Sequence, residues 1–198
     1  MWNDRRCAGC GTRGWSPCHG CVVTLLAAGP VDVEGARKTE ALLDYVGVTR
    51  DLIHSFKYGG ARDLGRWFGE AMARRVSSDV DMITWVPTTA RRRRERGYDQ
   101  AQLLARAGGR LTQLPVRRLL RRSDADPPQT GRSATERLRG PRLVSSAVEG
   151  LRVVVIDDVV TTGTSAANAV TALLHRGALS VDVVVIARTP PPSRSRSR

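Results

Sequence analysis

Hydrophobic and polar positions along this chain follow two rhythms in turn. Short aliphatic runs bounded by polar residues are typical of buried strands, and apolar residues three and four apart are typical of amphipathic helices. On this basis we predict strands over residues 41–47, 81–87, 116–122, 151–157 and 180–187. We predict helices over residues 49–59, 61–76, 97–111 and 164–178. Such alternation predicts an α/β fold, in which a mainly parallel sheet is flanked by helices.

Composition divides the chain into three predicted parts. Residues 1–28 contain every cysteine of the sequence and form a predicted metal-binding knuckle. Residues 29–189 carry the α/β pattern, preceded over about 22–40 by a stretch that resembles a linker or short lead-in. The tail, residues 190–198, reads "PPPSRSRSR". It has no apolar side chain to bury, so we predict that it is disordered.

The positive charge of the chain is compatible with a negatively charged ligand but does not identify it. The 198 residues carry a net charge of +13, and only Lys38 and Lys57 among the 32 basic residues are lysines. This arginine excess reflects either biased codon usage or a polyanionic ligand, which would be a phosphorylated small molecule or a nucleic acid. No apolar run is long enough to span a membrane, and the first residues lack the apolar segment of a signal peptide. We therefore expect a cytoplasmic protein.

The cysteines are spaced as two C-x2-C units separated by seven residues. In a reducing compartment this spacing favours one structural Zn²⁺ site with four thiolate ligands. Disulfides or unused thiols are the alternatives, and disulfides are disfavoured in the cytosol. The predicted zinc ligands are Cys7, Cys10, Cys18 and Cys21.

One stretch, "VVVIDDVVTTGTS" at residues 153–165, combines an aliphatic strand, two acids and a hydroxyl-rich loop. Ligands of parallel sheets bind at the carboxyl ends of the strands, where we expect Asp157 and Asp158. A glycine-containing loop that leads into a helix gathers backbone N–H groups and favours an anion. The alternative is an ordinary capped helix beside two exposed acids. The predicted phosphate-binding residues are Thr161, Thr162, Gly163, Thr164 and Ser165.

This stretch resembles the phosphoribosyl-pyrophosphate motif of type I phosphoribosyltransferases. The chain as a whole resembles the ComF family, which joins an N-terminal zinc knuckle to such a domain. "YVGVTRDLIHSFKYGG" is similar to the family's first strand and helix, and "WVPTTARRRRERGYDQA" to its proline loop and "RGFNQA" segment. "DPPQTGRSATERLRG" resembles its Q-x-x-L-S-x-x-x-R-x-x-N segment, with arginine at the leucine position and glycine at the asparagine position.

The resemblance implies particular roles. Asp157 and Asp158 would be the catalytic pair, holding ribose hydroxyls directly or beside a Mg²⁺ ion that enters with phosphoribosyl pyrophosphate. The loop after the second predicted strand would face the pyrophosphate, and residues 121–139 would be a hood loop that closes over the substrate. The basic run "RRRRERG" would be a solvated surface or would neutralise pyrophosphate. Candidate pyrophosphate donors are Thr88, Thr89 and Arg91, and candidate hood-loop residues are Gln129 and Arg137.

Two functions follow from the resemblance. The first is a phosphoribosyltransferase that binds Mg²⁺–phosphoribosyl pyrophosphate, or the smaller ribose 5-phosphate, and transfers the phosphoribosyl group to an unidentified acceptor. The second is a non-catalytic module of ComF type, which would associate with single-stranded DNA or DNA-processing proteins during DNA uptake. The sequence leaves the acceptor open, and a homodimer is neither required nor excluded.

Overall fold

The computed structural model describes residues 6–123 and 142–191. The helices are α1 (His19–Val22), α2 (Gly47–Tyr58), α3 (Asp63–Ala73), α4 (Ala90–Arg96), α5 (Gln100–Thr112) and α6 (Thr164–Leu174). The strands are β1 (Lys38–Asp44), β2 (Met82–Trp85), β3 (Leu120–Arg122), β4 (Leu143–Ser145), β5 (Arg152–Val160) and β6 (Ser180–Arg188).

Four of these strands form one parallel sheet in the order β1-β6-β5-β2. Its two central strands, β5 and β6, are aliphatic along most of their length because helices cover both of their faces. Successive residues of β5 serve opposite cores: Val154 and Ile156 join one buried cluster, and Val153 and Val155 join the other. The predicted α/β class with a mainly parallel sheet is therefore confirmed.

Helices α2, α3 and α5 contribute to the first cluster, and α6 contributes to the second. Helices α3 and α5 pack closely because Gly69 has no side chain. A Cβ atom at Gly69 would lie 2.5 Å from Ala107 Cβ and 2.8 Å from the Leu104 carbonyl oxygen. The sheet and its helices thus form a three-layer framework in which the carboxyl ends of β5 and β2 point to the same edge.

Two predicted strands have the wrong bounds, and one helix was not predicted. The strand predicted over 116–122 is only the three residues of β3, which pair antiparallel with β4 outside the main sheet. The segment "ARRRRER" forms α4, although it has no apolar face. Thr89 caps its first turn by accepting from the Arg92 N–H at 3.2 Å, and Gly97 ends it in a left-handed conformation. Strand β5 also continues to Val160 rather than ending at residue 157.

The stretch over 22–40 is more ordered than a linker. Ala28 N–H donates to the Leu42 carbonyl at 3.1 Å, and Asp44 N–H donates to the Leu26 carbonyl at 3.0 Å. Val33 is buried in the second core cluster. The proposed division between residues 28 and 29 stays a prediction, and residues 192–198 of the tail lie outside the described residues. Within the described ranges, no helix has the length and apolar character needed to cross a bilayer.

Candidate functional site

The two adjacent acids lie where β5 outruns its neighbour β2. The pairing of these strands ends at Trp85 opposite Ile156, and Val86 N–H donates to the Ile156 carbonyl at 3.0 Å. From Asp157 onward, β5 is paired only with β6. The acids are therefore strand residues at the edge of a step in the sheet, and this step gives them space on the β2 side.

The loop from Thr161 to Gly163 turns directly into α6. Gly163 has φ +78°, a left-handed conformation that glycine adopts without strain, and it provides no side-chain cap for the helix. The hydroxyls of Thr162 and Thr164 lie 2.9 Å apart. Free N–H groups of the first helical turn and these hydroxyls surround a hollow of about 40 Å³, which is lined by residues 159–166 and Asp157. This arrangement suits a single phosphate group.

The carboxylates of the pair differ in their surroundings. Asp158 is joined to Lys57 by an ion pair, with 3.0 Å between Nζ and Oδ1, and both side chains are less than a fifth exposed. Asp157 Oδ1 accepts from the Asp158 N–H at 2.8 Å. Burial, and next the charge of Asp158, raise the pKa of Asp157 to about 8. A ligand that brings hydroxyl donors or a cation would stabilise the ionised form of Asp157.

A cavity of about 370 Å³ opens beside the phosphate hollow and shares Asp157, Val159, Thr161 and Ser165 with it. Four basic side chains line this cavity, namely Lys57, Arg92, Arg96 and Arg122. Three acids line it as well, namely Asp99, Asp157 and Asp158. A larger hollow of about 520 Å³ lies between β4 and α6, but no acid is among its lining residues, so the chemistry points to the smaller cavity.

The predicted pyrophosphate donors are placed differently from one another. Thr88 lines the cavity, and its N–H donates to Asp99 Oδ2 at 3.1 Å. Thr89 caps α4 through its hydroxyl. Arg91 is 84% exposed and pairs with Glu95 one helical turn later, so it does not line the cavity. The hood-loop residues Gln129 and Arg137 lie outside the described residues.

Several cavity residues are not predicted as site residues from the sequence. Lys57 lies in the stretch that is similar to the family's first strand and helix, and the basic run does not distinguish Arg92 and Arg96 from its other arginines. Arg122 is the clearest case. Its Nε donates to the Pro87 carbonyl at 2.8 Å, and burial, followed by the charge of Arg92, lowers its pKa. Arg122 lies at the start of the segment 121–139 that the resemblance assigns to the hood loop, but in the structure it belongs to β3 and no motif singles it out.

The four cysteines converge at the N-terminus. All four sulfurs lie within 4.8 Å of one another, with 3.6 Å between Cys7 and Cys21 and 3.6 Å between Cys10 and Cys18. None of the four forms a disulfide. Backbone N–H groups of Gly9 and Cys18 point at the Cys7 sulfur, at 3.4 and 3.3 Å. Four clustered thiols with such N–H support form a donor set that could hold Zn²⁺.

The pKa values of two thiols in this cluster, Cys7 and Cys21, are shifted in opposite directions. Burial opposes ionisation of Cys7, but three backbone N–H groups at its sulfur lower its pKa to about 6. Burial and the neighbouring thiols raise the pKa of Cys21. Since crowded thiolates repel one another, the cluster is best accommodated by a cation that all four sulfurs share.

Part of this chain is similar to a known protein family and to several known proteins. Residues 99–196 match the model of the "Phosphoribosyl transferase domain" family. DNA utilization protein YhgH of Escherichia coli O6:H1 is 30% identical, with 74% of this chain aligned to 70% of that protein. Competence protein ComFC of Bacillus subtilis is 25% identical over 77% of this chain. The aligned region spans 65% of the length of the Bacillus protein.

Two solved structures align with part of this chain. The allosteric regulatory enzyme of purine biosynthesis is 24% identical over 63% of this chain and 25% of its own length, with a TM-score of 0.47. Purine phosphoribosyltransferase of Pyrococcus horikoshii is 15% identical over 65% of this chain and 82% of its own length, with a TM-score of 0.39.

The parallel sheet and the match to the phosphoribosyl transferase domain family define a type I phosphoribosyltransferase-like domain preceded by a four-cysteine cluster. Given the YhgH and ComFC relatives, the chain belongs to the ComF family.

Proposed function

We propose that this protein binds Mg²⁺–phosphoribosyl pyrophosphate and transfers the phosphoribosyl group to an acceptor. The observation that carries the proposal is the contact between two subsites. A phosphate-sized hollow at the start of α6 shares Asp157 with a larger cavity that contains four basic side chains. A ligand that fits both subsites has one phosphate, a polyol and a second, more highly charged group.

Within this proposal, residues 161–165 hold the 5-phosphate through backbone N–H groups and hydroxyls. Asp157 and Asp158 accept hydrogen bonds from the ribose hydroxyls, directly or beside the ion. Mg²⁺ bound at these carboxylates would neutralise part of the pyrophosphate charge. Lys57 orients Asp158 through their 3.0 Å contact. The ribose is thereby fixed with C1 toward the basic cavity.

The pyrophosphate would occupy the basic side of the cavity. The bond from C1 to the pyrophosphate oxygen breaks with its electron pair on the pyrophosphate, and the acceptor nitrogen then forms a bond to C1. Arginine suits the leaving group because its planar fork donates two parallel hydrogen bonds. Arg122 is the strongest candidate, since it is partly buried, held by the Pro87 carbonyl, and has no carboxylate within ion-pair distance among the described residues.

We predict that Arg122→Gln weakens binding of Mg²⁺–phosphoribosyl pyrophosphate about tenfold or more, because a hydrogen bond to a charged group contributes about 1.5–3 kcal/mol. Ribose 5-phosphate should bind almost unchanged, since it lacks the pyrophosphate. Arg121→Gln is the matched control, because Arg121 is the adjacent and exposed residue of β3. Calorimetric titration of the three proteins measures the effect. Equal losses in both variants would assign the effect to overall charge and not to Arg122.

The proposed enzymatic activity is tested by measuring the release of pyrophosphate. Purified protein is incubated with Mg²⁺–phosphoribosyl pyrophosphate and single candidate acceptors, which should include nucleobases and small amines. Pyrophosphate release that depends on the acceptor and is lost in the Arg122→Gln variant supports transfer. Binding without release for any acceptor would leave a ligand-binding protein and contradict the catalytic part of the proposal.

A second candidate function is a nucleic-acid module. Relatives bear the names "DNA utilization protein" and "Competence protein". Helix α4 exposes a row of arginines, and the Arg96 guanidinium lies 4.6 Å from the ring centre of Tyr58, which is itself 60% exposed. Rings and arginines of this kind stack on single-stranded bases. Salt-dependent binding of single-stranded DNA without pyrophosphate release would favour this function.

We also propose that the four cysteines hold Zn²⁺. Protein purified without chelator should contain about one zinc ion per chain, because four thiolates complete a tetrahedral shell. Cys18→Ser should lower the zinc content and loosen the N-terminal segment, while the sheet stays folded on its own two core clusters. Elemental analysis measures the zinc content, and far-ultraviolet circular dichroism shows whether the sheet stays folded. A zinc-free parent protein, or loss of the sheet in the variant, would contradict them.

A further inference from the structure

Helix α2 lies between the four-cysteine cluster and the cavity. On the cluster side, Ser55 Oγ donates to the Ala8 carbonyl at 2.8 Å. A Cβ atom at Gly9 would lie 3.2 Å from Val48 Cγ1 and 3.4 Å from Leu52 Cδ2. The loop between the first two cysteines therefore rests directly on α2.

The two residues that make this contact, Ala8 and Gly9, are the pair enclosed between Cys7 and Cys10. Gly9 is confined on its other side as well, since the same Cβ atom would lie 2.9 Å from the Cys21 sulfur. Metal binding by the flanking thiolates would fix the conformation of this dipeptide. The surface presented to α2 is thus part of the metal loop.

On the opposite side of α2, Lys57 reaches the functional site. Lys57 follows Ser55 by two residues, which is about 200° around a helix, so it points away from the cluster. Its Nζ lies 3.0 Å from Asp158 Oδ1. The same helical turn carries the contact with the cluster and the contact with the acid pair.

Other contacts also hold this last turn, since Phe56 is fully buried and packs against Phe68 and Tyr98. The Ser55 carbonyl accepts from Gly59 N–H at 2.8 Å and from Ala61 N–H at 3.3 Å, which closes the end of the helix. The Phe56 carbonyl accepts a hydrogen bond from the Tyr98 hydroxyl. Because Ser55 and Lys57 share this turn of α2, a shift of Ser55 would move the backbone from which Lys57 extends.

We infer that the four-cysteine cluster braces the end of α2 and, through Ser55, positions Lys57 against Asp158. Zinc in the cluster and the ligand of the cavity are then thermodynamically linked. The inference rests on the proposed binding of phosphoribosyl pyrophosphate. Ser55 and Lys57 act as positioning residues, since their described contacts are with the protein.

The first test compares the affinity for Mg²⁺–phosphoribosyl pyrophosphate, measured by calorimetry on zinc-loaded proteins. Ser55→Ala should weaken binding about three- to tenfold, the effect of one lost hydrogen bond. Ser55→Thr keeps the hydroxyl and should bind like the parent. Ser77→Ala is the matched control, because its hydroxyl donates to Asp182 at 2.9 Å, at the amino end of β6 and away from the site.

A double-mutant cycle tests the route of the coupling. Lys57→Met alone should weaken binding of the ligand. If Ser55 acts through Lys57, adding Ser55→Ala to Lys57→Met should produce no further loss. Full additivity of the two losses would contradict the inference.

The linkage between zinc and the ligand is reciprocal, so it can also be measured as a change in zinc affinity, without catalysis. Addition of Mg²⁺–phosphoribosyl pyrophosphate should raise the zinc affinity of the parent by the same factor by which zinc raises the ligand affinity. Zinc affinity is measured by competition with a chromophoric chelator. The same measurement on Ser55→Ala corrects for zinc that the ligand itself binds. The zinc affinity of this variant should rise less than that of the parent when the ligand is added.

The outcomes separate the two proposals. A parent that binds no Mg²⁺–phosphoribosyl pyrophosphate would overturn the proposed function and the linkage together. The parent could instead bind Mg²⁺–phosphoribosyl pyrophosphate with the same affinity as zinc-loaded Ser55→Ala, and its zinc affinity could stay unchanged when the ligand is added. That result would overturn the linkage alone.

Discussion

Asparagine at both Asp157 and Asp158 is expected to remove most of the stabilisation that Mg²⁺–phosphoribosyl pyrophosphate gives to this protein. At a hundredfold excess over the dissociation constant, the ligand should stabilise the parent by about 2.7 kcal/mol. Asparagine retains the shape of the side chain but removes the charge that ribose hydroxyls and Mg²⁺ require. If affinity falls about a hundredfold, the stabilisation at the same ligand concentration falls to about 0.4 kcal/mol. Thermal unfolding with and without ligand measures both values.

The unliganded double variant should remain folded and should be relatively more stable at alkaline pH. The pKa of Asp157 is raised in the folded protein, so folding favours its protonated form. In the parent, this contribution to stability is present below the ordinary carboxyl pKa and is lost as pH rises through about 8. Asparagine cannot ionise, so the variant should lack this decline. A pKa difference of one unit corresponds to about 1.4 kcal/mol.

Two results would contradict this account of the acids. One is a double variant that is stabilised by the ligand as much as the parent. The other is a double variant that is unfolded without ligand, because the acids would then be structural.

Gly163→Val is expected to have the second large effect, with loss of phosphate binding as its signature. The reason is backbone conformation and not crowding, since a Cβ atom at Gly163 would have no neighbour closer than 3.9 Å. A residue with a side chain at φ +78° is strained by about 1–2 kcal/mol, and valine is branched at Cβ. Relief of that strain would redirect the N–H groups of the loop. We expect affinity for ribose 5-phosphate to fall about tenfold or more.

Gly150→Val is the matched control for this substitution. Gly150 has φ +72° and no atom within 4 Å of an added Cβ, and it precedes the other end of β5. Both variants should lose similar stability without ligand, but Gly150→Val should bind ribose 5-phosphate like the parent. Equal binding losses in the two variants would mean that general destabilisation, and not the loop, explains the result. Calorimetry at a temperature where both proteins are folded makes the comparison.

The centre of the fold, and the acids and loop that form the candidate site, could be predicted from the sequence because these are local features. A continuous aliphatic run such as Val153–Ile156 requires helices on both faces, and the loop "TTGT" follows it without interruption. Two carboxylates next to a hydroxyl-rich turn are therefore adjacent in space as well as in sequence. The four cysteines are local in the same sense, and their convergence is confirmed.

What the sequence did not predict depends on long-range packing. Helix α4 is stabilised by its caps and by the Arg91–Glu95 pair, so hydrophobic periodicity gives no sign of it. The choice of Arg92 over Arg91 as a cavity residue is set by the rotation of that helix. Arg122 and Lys57 reach the site from β3 and α2, which are distant from β5 in sequence. The hydrophobic pattern of a single sequence does not show that residues so far apart in the chain lie in one cavity.

The most direct test of the central claim is a calorimetric titration of the zinc-loaded parent protein with Mg²⁺–phosphoribosyl pyrophosphate. The account predicts saturable binding of about one ligand per chain, because one phosphate loop and one acid pair form one site. Absence of binding at millimolar ligand with Mg²⁺ present would contradict it.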